Sequence, residues 1–330
     1  MRAAPVPNLA VALARAAPPP GRRALLRLSS ALALLPLLRP AAALARPGAA
    51  RDRFFITSDG VRLHYLEAGP IGAHPTGPHA APIHTIVLIP GWTMPAWIWD
   101  RQIAVFARRY RVIAFDPRGQ GESQAPAFGY TAARRGQDIA ELIARLGPAP
   151  VLLVGWSLGV LDALSYVRAH GDARLAGLVL VDNSVGETPP PVWHPSSGPV
   201  PPYRVGLARF VRGLFHTRQP EAWLARLTRA CLRTPEPAAR ALRAYPVPRE
   251  DWRAAVLSVR APVLYLVRPW LAGQAESLRR DRPGTEIALF PHAGHALFID
   301  DPARFDRLLA GFARRRVWPA VRTLQAAAGR

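Results

Sequence analysis

The stretch from Val151 to Gly159, with the sequence VLLVGWSLG, places the strongest constraint on how this chain can fold. An apolar run that suits a buried strand leads into the pattern G-x-S-x-G, and an amphipathic segment that stops at Gly171 follows it. A sharp turn from strand to helix brings backbones close together, so side chains at Gly155 and Gly159 would collide. The pattern therefore predicts that the Ser157 hydroxyl stands at the end of a strand, near the positive end of a helix.

Strands and helices alternate on both sides of this turn. The predicted strands are Phe54 to Thr57, Val61 to Leu66, Thr85 to Ile89, Arg111 to Phe115, Val151 to Val154, Leu175 to Val181, Pro262 to Val267 and Glu286 to Phe290. Helices are predicted after an N-cap at Thr131, around Gln274 to Arg280, and from Asp301-Pro302 onward. Continuous apolar strands separated by helices are typical of an α/β fold whose parallel sheet is buried on both faces.

The alternation stops in one long segment, residues 185–258. A proline-rich lead-in is followed there by helical patterns that carry Phe210, Trp223 and Trp252. This composition predicts a helical cap inserted into the core. The predicted divisions are a first core part at 46–184, the cap at 185–258, a second core part at 259–316 and a C-terminal tail at 317–330.

Two more segments complete a recognisable series. Ile89 to Trp92 (IPGW) follows a predicted strand, and Phe115 to Ser123 (FDPRGQGES) runs from a strand end into a glycine-rich turn. With the serine turn, these segments stand in the order found in the α/β-hydrolase family. Residues 54–313 resemble its esterase, lactonase and cofactor-free perhydrolase members.

This resemblance implies the α/β-hydrolase fold, a mostly parallel central sheet flanked by helices, with a helical cap. It implies an oxyanion hole made by the backbone N–H groups of Trp92 and Leu158. Pro90 stands where the family often has histidine. The D-x-R-G-x-G-x-S turn that begins at Asp116 is mainly architectural in the family, so we assign it no catalytic role.

The loop Pro291 to Phe298 (PHAGHALF) follows the last predicted strand and resembles the family loop that delivers the catalytic histidine. His295 matches that position because it follows Gly294, and His292 is the alternative. The base must reach the Ser157 hydroxyl to remove its proton and later to protonate the leaving group.

The acid departs from the commonest family pattern. A carboxylate usually follows the strand that corresponds to Pro262 to Val267, but Arg268 to Gly273 (RPWLAG) contains none, and Glu276 comes next, inside a predicted helix. Asp182 ends the preceding strand and preserves the chain order nucleophile, acid, histidine. We therefore predict Asp182 as the orienting acid; a purely structural aspartate at this strand end is the alternative interpretation.

Composition excludes several classes of function. The formal net charge is +21, yet every basic residue is arginine and the arginines are scattered along the chain, whereas nucleic-acid binders concentrate them on one stripe or helix. Cys231 is the single cysteine, so neither an intramolecular disulfide nor a cysteine-based metal site is expected, and its apolar surroundings predict a small buried side chain. His74, His79 and His84 are irregularly spaced without nearby carboxylates, which does not predict a metal site.

The N-terminal segment has features of an export signal. Gly21 to Arg27 (GRRALLR) resembles the twin-arginine motif, a Leu/Ala stretch follows, and Ala43 to Ala45 offers the small residues that a signal peptidase reads. A proline and an arginine break the apolar stretch, which makes it too short for a good membrane span. We predict a signal peptide over residues 1–45 and a periplasmic or secreted protein; an Arg/Ala-rich leader on a cytoplasmic protein is the alternative.

Together these patterns predict a serine hydrolase of a small or medium hydrophobic ester, thioester or lactone, with neither a metal nor an organic cofactor. Dehalogenases and epoxide hydrolases of this fold use an aspartate nucleophile, so Ser157 argues against both. An acyltransferase with the same triad is one alternative. A non-catalytic binding protein is another, and the missing carboxylate after Val267 favours it.

Overall fold

The computed structural model describes residues 50–70, 83–188, 190, 199–244 and 247–319. They form an eight-stranded sheet in the order β1-β2-β4-β3-β5-β6-β7-β8. The strands are β1 (Arg51–Ile56), β2 (Arg62–Ala68), β3 (Thr85–Ile89), β4 (Arg111–Asp116), β5 (Val151–Trp156), β6 (Leu175–Val181), β7 (Val263–Val267) and β8 (Glu286–Leu289). The predicted signal peptide lies outside the described residues.

Six of these strands, β3 to β8, run parallel to one another, whereas β2 pairs antiparallel with both β1 and β4. The antiparallel pair is the predicted hairpin around Ser58-Asp59-Gly60, with Ile56 opposite Arg62. The register places Ile89 of β3 beside Gly155 of β5. Because parallel strands end at the same edge of a sheet, the loops that follow these two residues begin side by side.

The helices in the described part of the chain lie around the sheet. They are α1 (Asp100–Phe106), α2 (Ala132–Arg145), α3 (Leu158–His170), α4 (Tyr203–Arg212), α5 (Glu221–Cys231), α6 (Glu236–Arg243), α7 (Arg249–Ser258), α8 (Ala272–Asp281), α9 (Leu297–Asp300) and α10 (Pro302–Phe312), with 3-10 turns at Ala96–Trp99 and Pro269–Leu271 and a π-helical turn at Ala313–Val317. The predicted N-caps are confirmed: the side chains of Thr131 and Asp301 accept from the backbone N–H groups of Arg134 and Arg304.

Both faces of the sheet are buried, which explains the unbroken apolar strands. Along β3, Ile86 and Leu88 belong to one hydrophobic cluster, and Val87 and Ile89 to the other. The first cluster also takes the apolar faces of α1 and α10, and the second those of α2, α3 and α8. The α/β class and the mostly parallel sheet predicted from the sequence are confirmed.

The segment between β6 and β7 carries α4 to α7. Leu207 and Leu227, from α4 and α5, join the first cluster, where Cys231 is fully buried as predicted. Helix α7 packs through Trp252 against the second cluster. These helices therefore share apolar contacts with the layers on both faces of the sheet.

The predicted tail begins with two residues that pack on the core. Val317 and Trp318 lie against the first hydrophobic cluster, and the Trp318 ring stacks on His84 with centroids 4.3 Å apart. These two positions of the predicted C-terminal tail therefore contact the core. Burial of these large apolar side chains lowers the free energy of the folded state.

Candidate active site

Ser157 lies at the turn between β5 and α3, as the sequence pattern predicts. Its backbone has φ 55° and ψ −120°, a conformation that non-glycine residues rarely adopt. A Cβ atom at Gly155 would lie 2.4 Å from the carbonyl oxygen of Gly159, and one at Gly159 would lie 2.6 Å from that of Ile89. The two glycines are therefore required by close backbone contacts, which hold the serine in its strained conformation.

Two hydrogen bonds fix the backbone of the turn. The N–H of Ser157 donates to the carbonyl of Val181 at 2.9 Å, and the Asn183 side-chain amide donates to the carbonyl of Ser157 at 2.8 Å. The phenol of Tyr265 in turn donates to the Asn183 carbonyl at 2.6 Å. The end of β6 thus holds the serine turn from one side.

His295 approaches Ser157 from the loop after β8. Its Nε2 atom lies 2.7 Å from Ser157 Oγ, and its carbonyl accepts from Trp156 Nε1 at 2.8 Å. The neighbouring Gly294 donates its N–H to the Asp300 carboxylate at 2.7 Å. A Cβ at Gly294 would lie 2.5 Å from the carbonyl of Leu214 in the loop after α4, so glycine is needed for this close approach.

Asp300 connects this loop to the segment after α4. Its carboxylate also accepts from the backbone N–H groups of His216 and Thr217, at 2.8 and 2.9 Å. One carboxylate therefore ties the His295 loop to the cap. No feature of the sequence singled out Asp300, because its partners in the cap, His216 and Thr217, are more than eighty residues away along the chain.

Asp182 lies directly after β6 with φ 50°, and its side chain is fully buried. Its Oδ2 atom is 2.6 Å from His295 Nδ1. The N–H of Asp182 donates to the carbonyl of Leu266 at 2.8 Å, which anchors the turn to β7. The structure thus brings Asp182, His295 and Ser157 into one hydrogen-bonded series, while Glu276 pairs with Arg279 on α8.

Arg268 occupies the place after β7 where related proteins often have the acid. Its backbone N–H donates to Asp182 Oδ1 at 3.0 Å, and its Nε donates to Asp182 Oδ2 at 2.6 Å. From the sequence alone, this position is distinguished only by its lack of a carboxylate. An arginine that pairs with a predicted acid 86 residues away gives no local signal in the sequence.

The arrangement defines one protonation pattern. An ionised Asp182 can only accept hydrogen bonds, so Nδ1 of His295 must carry a proton. In neutral imidazole the other nitrogen, Nε2, is then free to accept the proton of the Ser157 hydroxyl. The three groups can therefore activate a hydroxyl for attack on an electrophilic carbon.

The loop after β3 lies against the serine. A Cβ at Gly91 would be 3.0 Å from Ser157 Cβ. Trp92 follows Gly91, and its side chain turns into the cap, where Nε1 donates to the Ala239 carbonyl on α6 at 2.8 Å. Leu158 is the first residue of α3. The assignment of the Trp92 and Leu158 N–H groups to an oxyanion hole stays a prediction.

The side chain of Gln120 forms hydrogen bonds with the loop after β3. Its side chain accepts from the N–H of Thr93 at 2.9 Å and donates to the carbonyls of Gly91 and Met94 at 3.1 and 3.2 Å. Thr93 itself has φ 61° and is completely buried. Gln120 lies in the turn that was predicted to be architectural, and the sequence predicts no role for its side chain.

Two buried networks explain why that turn is architectural. Arg118 pairs with Asp138 at 2.6 Å, and Asp116 accepts from His64 Nδ1 at 2.7 Å. Burial alone would lower the pKa of His64, but hydrogen bonds and charges from Asp116 and Asp52 outweigh it and raise that pKa above its usual value. The first network joins the turn after β4 to α2, the second joins β2 to β4, and neither contains Ser157.

An apolar cluster lies beside the serine turn. It contains Tyr130 and Leu158 from the core and Ala238 and Leu242 from α6, with Trp92 packed at its edge. Helix α6 therefore places methyl and methylene groups next to both predicted oxyanion residues.

Within the described residues, no three His, Cys, Asp or Glu side chains are grouped so that they could hold a metal ion. In that part of the chain, no helix is both long and apolar enough to cross a membrane.

The fold and this geometry agree with a match to a known family. A model described as "Alpha/beta hydrolase family" matches residues 86–308, and the chain belongs to that family. A pimeloyl-[acyl-carrier protein] methyl ester esterase of Nitrosomonas europaea is 28% identical over 67% of this chain and 92% of its own. The crystal structure of an esterase from Rhodococcus sp. ECU1013 superposes with a TM-score of 0.64 at 25% identity, over 80% of this chain and 99% of that one.

Other curated relatives match a shorter part. A non-heme haloperoxidase of Rhodococcus erythropolis is 33% identical over 150 residues, which is 44% of this chain and 48% of the relative. The chain thus spans about half the length of this relative. This match assigns no particular reaction to the chain.

Proposed function

We propose that this protein hydrolyses a carboxylic ester, thioester or lactone through an acyl-enzyme on Ser157. The observation that carries the proposal is the hydrogen-bonded series from Ser157 Oγ through His295 to Asp182, with distances of 2.7 and 2.6 Å. Nucleophile, base and orienting acid in this relation are the requirements for acyl transfer. The similarity to two esterases supports the same class of reaction.

The first half of the reaction forms the acyl-enzyme. Ser157 Oγ attacks the carbonyl carbon while its proton passes to His295 Nε2, and the carbonyl π electrons move to the oxygen. The N–H groups of Trp92 and Leu158 would donate to this oxyanion. When the intermediate collapses, the bond to the alcohol or thiol breaks, and Nε2 gives its proton to the leaving group.

Water completes the second half. It attacks the acyl carbon, His295 Nε2 accepts its proton, and collapse of the second intermediate returns that proton to Ser157 as the acid leaves. Asp182 stays ionised throughout and stabilises the imidazolium. An acceptor alcohol in place of water would give acyl transfer from the same intermediate.

The substrate is proposed to be hydrophobic and small or medium in size. Support comes from the apolar side chains of Ala238 and Leu242, which α6 places against Leu158. Apolar walls with a few polar groups that fix orientation are typical of small-molecule sites. A series of p-nitrophenyl esters of increasing chain length tests this: kcat/KM should rise from acetate to a medium-length acyl group.

The proposal is tested first without any assumption about the substrate. A fluorophosphonate probe followed by peptide mapping should label native protein at Ser157 and leave Ser157→Ala unlabelled. Ser165→Ala is a matched control on the same helix, since Ser165 only donates to the Leu161 carbonyl, and it should label like native protein. Absence of labelling in well-folded native protein would instead favour a non-catalytic binding protein.

We also propose export, on the strength of the twin-arginine pattern at Arg22-Arg23. N-terminal sequencing of protein from its native cells should find a chain that begins near residue 46. A chain that keeps residues 22–45 would contradict the proposal.

A further inference from the structure

We propose that Arg268 is a positioning residue that holds the Asp182 carboxylate turned toward His295. The inference rests on the proposed function, because it concerns the acid of the same series. It starts from the position of Arg268, where the sequence offers a cation in the place of the missing carboxylate.

Arg268 fixes the orientation of the Asp182 carboxylate. The terminal torsion of an aspartate side chain is broad and nearly two-fold, so nothing intrinsic selects which oxygen faces the imidazole. Arg268 donates a hydrogen bond to each carboxylate oxygen of Asp182: its backbone N–H donates to Oδ1 and its Nε donates to Oδ2. Nε of Arg268 and Nδ1 of His295 converge on Oδ2, both at 2.6 Å, which leaves the carboxylate one orientation.

Arg268 also supplies the charge that opposes the buried Asp182 carboxylate. The Asp182 side chain has no solvent exposure, and burying an unpaired carboxylate is costly. The resting imidazole is neutral and supplies a hydrogen bond but no charge. The Arg268 guanidinium supplies the opposite charge, and its side chain remains 27% exposed, so it keeps part of its own hydration.

The guanidinium acts through Asp182 and not directly on the histidine. Its Nη2 atom lies 3.4 Å from His295 Nδ1. Because Nδ1 of His295 carries the proton that it donates to Asp182, Nδ1 and Nη2 of Arg268 are both donors, and the contact between them is not a hydrogen bond. Removing Arg268 should therefore matter only while a carboxylate stands at residue 182.

A double-mutant cycle tests this dependence. Arg268→Ala should lower kcat for p-nitrophenyl butyrate about 10- to 100-fold, the range seen when outer partners of metal-ligating histidines are removed, with KM nearly unchanged. In an Asp182→Asn background the same change should cost less than about two-fold, because the carboxylate that Arg268 holds is gone. Equal losses in both backgrounds, or native kcat in Arg268→Ala, would overturn the proposal.

Two further variants separate charge from geometry. Arg268→Lys supplies a point charge without the planar fork, so its kcat should fall between those of native protein and Arg268→Ala. Arg279→Ala is the matched control, because Arg279 pairs with Glu276 on the exposed side of α8 and should leave kcat unchanged. Circular dichroism and thermal unfolding of each variant show whether a loss of kcat reflects loss of fold. If Arg268→Ala does not fold, the kcat of Arg268→Lys is compared with that of native protein, and an equal kcat would overturn the proposal.

A readout independent of turnover distinguishes failure of this inference from failure of the proposed function. The hydrogen-bonded Nδ1 proton of His295 should give a low-field proton NMR signal that disappears in Asp182→Asn and in Arg268→Ala but persists in Arg279→Ala. If native protein neither turns over esters nor reacts with the fluorophosphonate, the hydrolase proposal fails. The NMR signal still decides whether Arg268 holds Asp182; its persistence in Arg268→Ala would refute that role.

Discussion

Oδ2 of Asp182, at the end of β6, lies 2.6 Å from Nδ1 of His295, in the loop after β8. The two residues are 113 positions apart, and β7 lies between their strands in the sheet. Asp182 reaches the imidazole because its φ of 50° turns the chain out of the strand direction. The acid function proposed for Asp182 therefore depends on a backbone conformation that few residues other than glycine, asparagine and aspartate adopt.

Asp182→Asn should lower kcat by about 10⁴-fold, the loss found for the equivalent change in a serine protease, with the fold preserved. The amide can donate to Nδ1, which favours the tautomer whose Nε2 already carries a proton and cannot accept one from Ser157. Steady-state hydrolysis of p-nitrophenyl butyrate measures the effect. Glu276→Gln is the control: it removes the first carboxylate after β7 and should leave kcat unchanged.

The opposite pattern would assign the acid elsewhere. If Glu276→Gln lost activity while Asp182→Asn kept it, Asp182 would be the structural aspartate considered as the alternative. The structure argues against that outcome, since Glu276 contacts Arg279 at the surface of α8.

Gln120→Ala should lower kcat more than it raises KM. The change removes the two donors to Gly91 and Met94 and leaves the buried N–H of Thr93 without its acceptor. A buried unsatisfied donor costs about 1–3 kcal/mol of folding free energy, and the loop that carries the Trp92 N–H loses its support. Urea unfolding and kinetics on the same preparations measure both effects.

A matched glutamine separates this role from a general effect of the substitution. Gln137 donates to Glu141 on α2, away from Ser157, so Gln137→Ala should keep native kcat. A Gln120→Ala variant with reduced stability but native kcat would show that the loop keeps its catalytic geometry without the glutamine.

The sequence predicts those parts of the site that depend on local pattern. Gly155, Ser157 and Gly159 were identified because a strand-to-helix turn needs small residues at fixed spacing, and His295 because it follows Gly294 after the last strand. Asp182 was reached by a different route, from the chain order and the absence of a carboxylate after Val267.

The remaining parts depend on contacts between distant segments. The side chains of Arg268 and Gln120 form hydrogen bonds with residues on other loops. Gln120 fills a variable position of the turn that begins at Asp116, and Arg268 belongs to no periodic or motif pattern. Trp318 falls in the predicted C-terminal tail, and no local pattern in the sequence predicts that its ring stacks on His84. One sequence shows which residues are suited to such contacts, but not which partners the fold supplies.

Gly159→Ala should destabilise the fold and reduce activity together. A Cβ at this position would lie 2.6 and 2.7 Å from the carbonyl oxygens of Ile89 and Pro90, so either the loop after β3 or the start of α3 must move. Overpacking of this kind costs about 1–3 kcal/mol. Thermal unfolding and the rate of fluorophosphonate labelling measure the two effects.

Gly273→Ala provides the contrast on another helix. No atom lies within 4 Å of a Cβ at Gly273 in α8, so the change should raise stability by up to about 1 kcal/mol through helix propensity. Equal stabilities of the two variants would mean that the contact of Gly159 with Ile89 relaxes at no cost.

The buried imidazole of His64 should make stability depend on pH. Burial opposes its charged form, but Asp116 and Asp52 raise its pKa above the usual 6.5, so the folded state binds this proton more tightly than the unfolded state. The contribution is fully present below pH 6.5 and is lost as the pH rises through the raised pKa. The free energy of unfolding of native protein minus that of His64→Gln should therefore be largest in mildly acidic buffer and shrink toward alkaline pH. Urea titrations across this range measure it, with the exposed His216→Gln as the control; a difference that grows with pH would show that His64 is buried in its neutral form.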